Sequence, residues 1–273
     1  MKKDVSIILP SIRPKNLYKF HKSAQKACKK RTFEVVIASP YNLPEELEEF
    51  DNIKLFKTRM APTAAKQAAI NLCNATYLYN TTDDGLIQED CIDLACDSIE
   101  CKTNKYDIVN MIYNEGCLDA ETLEPLKGIS TEKFPDHYWN VSHHQGLRML
   151  QINQNWKMCM HFFMRLETFR EIGGLDCEWE YSNHAIHDLM FRLQSLGGNI
   201  YNLEKVAFLC SHLPNHTGDH GPVHDAQTGP DASKFSNIYN NSINNLESRL
   251  TLSYNNWETC PDVWRRRFLK NHS

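Results

Sequence analysis

Two short, almost unbroken apolar runs, VSIIL at 5–9 and EVVIA at 34–38, limit the fold of this chain more than any other feature. A strand with one wet face alternates apolar and polar residues, whereas a continuous run predicts a strand buried on both faces. Between them, residues 17–30 are polar and amphipathic and predict a helix. IKLF at 53–56 reads as a short third strand, and PTAAKQAAINLC at 62–73, alanine-rich with proline at its start, as a second helix. YLYN at 77–80 is then a fourth strand. Strands and helices in alternation define an α/β protein with a mostly parallel sheet flanked by helices. Ligands of such sheets gather beyond the carboxyl ends of the strands, where residues 10–13, 39–41 and 82–84 all fall.

The fourth strand breaks into TTDDG, placing Asp83 and Asp84 side by side. Adjacent like charges repel, so a turn that uses both calls for a cation. Hard carboxylate oxygens suit Mg²⁺ or Mn²⁺.

The second half is less regular. Residues 106–112 and 156–165 read as strands, 166–172 as a short helix closed by Gly173–Gly174, and 187–196 as a helix closed by Gly197–Gly198. Two further strands are expected at 199–203 and 206–210. Residues 213–236, rich in His, Gly, Pro and Asp, read as a long loop suited to a lid. His216, His220 and His224 lie four apart there, but Gly218, Gly221 and Pro222 forbid a regular helix. The expected division is a catalytic domain over 1–213 and a loop plus helical tail over 214–273, packed on the same domain.

Ten cysteines are spread without a C-x-x-C pair, and Cys91, Cys96 and Cys101 recur at a spacing that suits neither a helical stripe nor zinc. Reduced, buried thiols and a cytosolic protein are expected, with no apolar run near the ~20 residues of a membrane span. A net charge of −4 opposes broad affinity for nucleic acid.

Four segments in this order resemble the family 2 inverting glycosyltransferases of the Rossmann-like GT-A fold: SIILPSIRP (6–14), AAKQAAINLCNATYLYNTTDD (64–84), FFMRLETFREIGGLD (162–176), and HDLMFRLQSLGG (187–198) followed by VAFLCSH (206–212). The resemblance covers roughly residues 4–213. It implies transfer of a sugar from a nucleotide-diphosphate sugar to a hydroxyl acceptor, a saccharide or a hydroxylated DNA base. It places the nucleotide against Pro10, Ser11, Arg13, Ser39 and Lys66, and a divalent Mn²⁺ or Mg²⁺ on Asp83 and Asp84, with His212 as a further ligand. Two departures stand out. The usual D-x-D motif lacks its first carboxylate here, and the second strand ends in ASPY rather than in Asp.

Inverting transfer needs a base for the acceptor hydroxyl. The resemblance implies an Asp from an E-D pair, matched here by His187–Asp188. Anchoring instead on Arg192 would put the pair at Ala185–Ile186, which have no acid–base chemistry. Asp188 is the preferred base, with His184 and Glu180 as substitutes. Two other classes compete: a nucleotidyltransferase, opposed by the absence of glycine in PSIRP, and a binding module that keeps the fold without turnover.

Overall fold

The computed structural model describes residues 2–128, the backbone of 147–149, and residues 156–211, 225–239 and 249–259. Its centre is a seven-stranded sheet: β1 (Lys3–Pro10), β2 (Phe33–Ser39), β3 (Ile53–Lys57), β4 (Ala75–Asn80), β6 (Ile108–Asn110), β10 (Phe162–Arg165) and β11 (Ile200–Asn202). They lie in the order β11-β6-β10-β4-β1-β2-β3. Only β10 runs antiparallel to its neighbours, β4 and β6.

Burial on both faces explains the sequence pattern. Ile7 and Leu9 of β1 face one apolar cluster, built with Phe20, Val35, Tyr79 and Phe163. Ile8 faces the other, with Val36, Ala65, Leu78 and Phe162. Helices α1 (Pro14–Ala27) and α2 (Pro62–Ala69) each carry proline in their first turn, where its missing N–H costs nothing. Helix α3 (Cys91–Glu100) buries Cys91 and Cys96. That helix was not expected, because the five-residue cysteine spacing hides an apolar face completed by Ile92, Ala95 and Ile99. The nine described cysteines are unpaired, and all but Cys101 are buried.

The remaining helices are α4 (Leu166–Glu171), α5 (Ser182–Ser195) and α6 (Ala232–Tyr239), the last preceded by a π-helical turn at Gln227–Asp231. The expected loop over 213–236 is therefore corrected across its described portion, which is helical from Gln227 onward. Its earlier residues, with His212, His216, His220 and His224, lie outside the described residues. A second sheet joins β5 (Gly85–Ile87), β12 (Phe208–Ser211) and β7 (Tyr113–Leu118) beside the tip of β4.

The single strand expected over 156–165 is instead two, β9 (Lys157–Cys159) and β10, broken at Met160–His161. Asn80 Nδ2 donates to the Met160 carbonyl at 3.1 Å, and Met111 N–H donates to that of His161 at 2.9 Å. Tertiary hydrogen bonds at the tips of β4 and β6 thus interrupt a segment whose apolar pattern runs through. Among the described residues, no helix is long and apolar enough to cross a membrane.

Candidate active site

The carboxyl ends of β1, β2 and β4 open onto a cavity of about 170 Å³. Its wall includes Pro10, Ser11 and Arg13 after β1, Ala38 and Pro40 at the end of β2, Lys66 on α2, Thr82, Asp83 and Asp84 after β4, and Met160 and His161 from the break before β10. Tyr181, Ser182, Asn183 and Ile186, at the start of α5, close the far side. Three helices begin on this cavity, through Arg13, Pro62 and Ser182. Each presents the positive end of its dipole, so their sum favours an anion.

Asp83 is buried and committed. Its Oδ2 accepts from Ser11 Oγ at 2.8 Å and from the Arg13 N–H at 3.2 Å, while the Arg13 guanidinium pairs with Oδ1. Burial pushes its carboxyl up, against the pull of Arg13. Asn16 Nδ2 holds its main-chain carbonyl at 2.9 Å. Asp83 therefore fixes the turn after β1 to the turn after β4, and has little left for a ligand.

Asp84 differs. Its Oδ1 accepts from the Thr82 hydroxyl and its carbonyl takes the Ser211 N–H at 2.9 Å, while Oδ2 has no hydrogen-bond partner among the described residues and Asp84 lines the cavity. The glycine that follows is obligatory, since a Cβ on Gly85 would lie 2.2 Å from the Leu209 carbonyl oxygen. This close approach of β5 to β12 is what turns the acidic pair into the cavity.

Lys66 is 1% exposed. Burial pulls its ammonium down to about 7, with Asp84 and Asp83 opposing. Among the described residues it has no hydrogen-bond partner. It stands as a cation waiting for an anion.

The donor set fits a hard divalent cation in one way only. Asp84, with an open oxygen, can share an ion with phosphate oxygens and water, the habit of Mg²⁺. Asp83 is consumed by Ser11 and Arg13, and His212 lies outside the described residues. Among the described residues, no cluster of three His, Cys, Asp or Glu side chains forms an all-protein metal site.

The other expected residues are placed elsewhere. Ser39 is buried, with its hydroxyl accepting from the Tyr41 N–H at 3.1 Å, and does not line the cavity. Asp188 is 0% exposed. Its carboxylate meets Arg192 Nε at 2.9 Å, Arg249 Nη2 at 2.7 Å and the Tyr239 hydroxyl. Both carboxylate oxygens are engaged, and Asp188 does not line the cavity, so the expectation that it reaches an acceptor hydroxyl there is corrected; Ile186, two residues earlier, does line it. His184 lies within α5, its ring 5.4 Å from that of Phe235, and burial lowers its basicity. Glu180 precedes the cavity wall, and its N–H is held by Asp231 at 3.0 Å. Neither lines the cavity.

His161 was missed. It is 6% exposed, and its Nδ1 lies 3.1 Å from the Thr81 hydroxyl. Nothing in WKMCMHFFMR announces it, because the residue becomes a wall element only through the strand break.

No protein-family model and no curated protein sequence matches the chain. Solved structures do match. The 1–349 fragment of Staphylococcus aureus TarS in complex with UDP shares 12% identity at a TM-score of 0.55, covering 91% of this chain and 76% of the fragment. The same fragment in complex with UDP-GlcNAc matches at 12% identity and a TM-score of 0.53, over 80% of this chain and 60% of the fragment. The longer TarS structure matches at 13% identity and a TM-score of 0.51, and the chain spans only 37% of it. Without ligand, the 1–349 fragment matches at 11% identity over 60% of its length. The fold is thus the α/β fold of the GT-A glycosyltransferases.

Proposed function

We propose that the chain transfers a sugar from a uridine-diphosphate sugar to a hydroxyl acceptor with inversion at the anomeric carbon, aided by Mn²⁺ or Mg²⁺. The observation that carries this reading is the meeting of Arg13, Lys66, Asp84 and three helix N-termini in one cavity at the strand tips. That combination suits a diphosphate, whose charge needs cations and dipoles around it. The fold likeness to a protein solved with UDP and with UDP-GlcNAc supports the uridine nucleotide as donor.

Each residue has a distinct task. Lys66 neutralises the charge that grows on the diphosphate as it leaves, and donor binding raises the lysine's affinity for its proton. Ser11 and Arg13 hold Asp83 so that the two strand-tip turns stay in register. Asp84 would hold the divalent ion, which when bound supplies further neutralisation of the leaving diphosphate. The acceptor class, saccharide or hydroxylated base, belongs to the same proposal, and the net charge of −4 favours the saccharide.

A screen of nucleotides by thermal shift tests the reading, because a ligand of the native state alone raises its apparent stability. UDP with Mn²⁺ is expected to raise Tm more than UDP alone. Asp84→Ala is expected to fold normally and lose the metal-dependent part. No stabilisation by any nucleoside diphosphate would sink the proposal. A second reading, donor binding without turnover, is favoured by Ile186 and by the engagement of Asp188. It predicts stabilisation by UDP-sugar with no UDP release.

A further inference from the structure

The cavity lacks an evident base. Among the described residues that line it, the carboxylates are Asp83 and Asp84 alone. The first is spent on Ser11 and Arg13, and the second is the carboxylate that would hold the divalent ion of the donor. Asp188 is enclosed by two arginines and a tyrosine. Lys66 is committed to the diphosphate, and the imidazole left on the wall is that of His161.

We propose that His161 is the general base of the transfer, accepting the proton of the acceptor hydroxyl on Nε2. The geometry is that of a positioned imidazole. Nδ1 lies 3.1 Å from the Thr81 hydroxyl. The ring is flanked by Tyr113 and Phe208 with centroids at 5.0 and 4.5 Å. Nε2 makes no hydrogen bond among the described residues, and His161 is part of the cavity wall. Thr81 belongs to the turn that carries Asp84, which couples the position of the base to that of the donor.

This proposal rests on the glycosyltransferase reading. The acceptor oxygen's lone pair forms the bond to the anomeric carbon, and its proton passes to His161 Nε2. The bond from that carbon to the diphosphate oxygen breaks, and its electron pair leaves on the nucleoside diphosphate. The imidazolium then returns the proton to solvent. Burial brings His161 down to about 4, with Asp84 and Glu115 opposing and Lys66 reinforcing. An imidazole so tuned is neutral at pH 7 and has the basicity of an ordinary carboxylate. It therefore stands in for Asp188, which is enclosed away from the cavity.

The test uses water as the acceptor, with UDP release from UDP-GlcNAc and Mn²⁺ as the rate and UDP affinity by calorimetry as the binding readout. His161→Gln is expected to bind UDP within about twofold of wild type while releasing it ~10²-fold more slowly, the scale of general-base loss. Azide is expected to restore part of the rate to His161→Ala. Because His161 is buried, Thr81→Val serves as a second variant. It keeps the imidazole but frees Nδ1, and is expected to lower the rate about tenfold with UDP affinity unchanged. A wild-type rate in His161→Gln, or in Thr81→Val should His161→Gln not fold, overturns the proposal. Wild-type protein that binds no UDP would remove the parent reading, a result distinct from a binding protein whose rate ignores His161.

Discussion

At the residue scale, Lys66 carries a measurable tension between stability and binding. Its ammonium is brought to about 7 in the folded chain, against an ordinary lysine value of 10.5. Between those values the unfolded chain holds more protons than the folded one, so stability rises with pH across that window. Below about pH 7 both states are charged, and the full cost of burying the ammonium is present. Lys66→Met is therefore expected to raise Tm at pH 7 by roughly 2–4 °C, the shift that about 1 kcal/mol gives a chain of this length. The same variant should lose most of its UDP affinity. In the wild type, UDP binding at pH 8 should take up protons, seen as a dependence of the binding heat on the ionisation enthalpy of the buffer. Heats that ignore the buffer would show that Lys66 does not meet the diphosphate.

At the scale of elements, the GGLD turn and α5 form one buried ionic unit. Gly173 and Gly174 adopt φ of 85° and 65°, which lets the turn aim its carbonyls at Arg192. Arg192 donates to the carbonyls of Ile172, at 2.7 Å, and Gly174. Asp188 joins it to Arg249, which also pairs with Asp176 at 2.7 Å. Asp188→Asn removes the charge that buried Arg192 and half-buried Arg249 oppose, and is expected to lower unfolding free energy by about 3 kcal/mol, measured by urea denaturation. A near-native midpoint in that variant, with turnover abolished, would return Asp188 to the chemistry. This element also shows what the sequence could and could not reveal. Strands β1 and β2 were legible because burial on both faces writes itself as nearly unbroken apolar runs. The acidic pair was legible because charge at a strand tip demands a reason. The role of Asp188 was not, since a carboxylate four residues before an arginine reads alike whether it faces a cavity or its own helix. His161 was illegible for the opposite reason: hydrogen bonds from Asn80 and Met111, distant in sequence, decide where its strand breaks.

At the scale of the whole molecule, the chain's later segments reach back to hold the cavity wall. Gln67, on the helix that carries Lys66, donates to the Tyr254 carbonyl at 2.8 Å and accepts from the Leu175 N–H at 2.9 Å. Asn256 Nδ2 meets the carbonyls of Gly173 and Leu175 at 3.2 and 3.0 Å. The sharpest link is Asp231, at the end of the π-helical turn. Its carboxylate accepts the N–H groups of Glu180 and Tyr181 at 3.0 and 2.7 Å, just before α5 begins and where Tyr181, Ser182 and Asn183 line the cavity. Burial lifts this carboxyl to about 6 despite those two donors. The folded state thus holds its proton more tightly than the unfolded one, and Asp231 costs global stability as pH rises from about 4 to 6 and above. Its return is local order in the wall. Asp231→Ala should therefore change Tm at pH 7 little, because relief of the buried charge offsets the lost hydrogen bonds. The amides of Glu180 and Tyr181 should exchange with solvent about five- to tenfold faster, the factor that ~1–1.4 kcal/mol of lost capping represents. UDP-sugar affinity should fall with that ordering, while substitutions on exposed residues of α6 leave it unchanged. Hydrogen exchange resolved to those two amides decides it: unchanged protection would mean that the wall is held by α5 alone and that the C-terminal segment has no hold on the donor site.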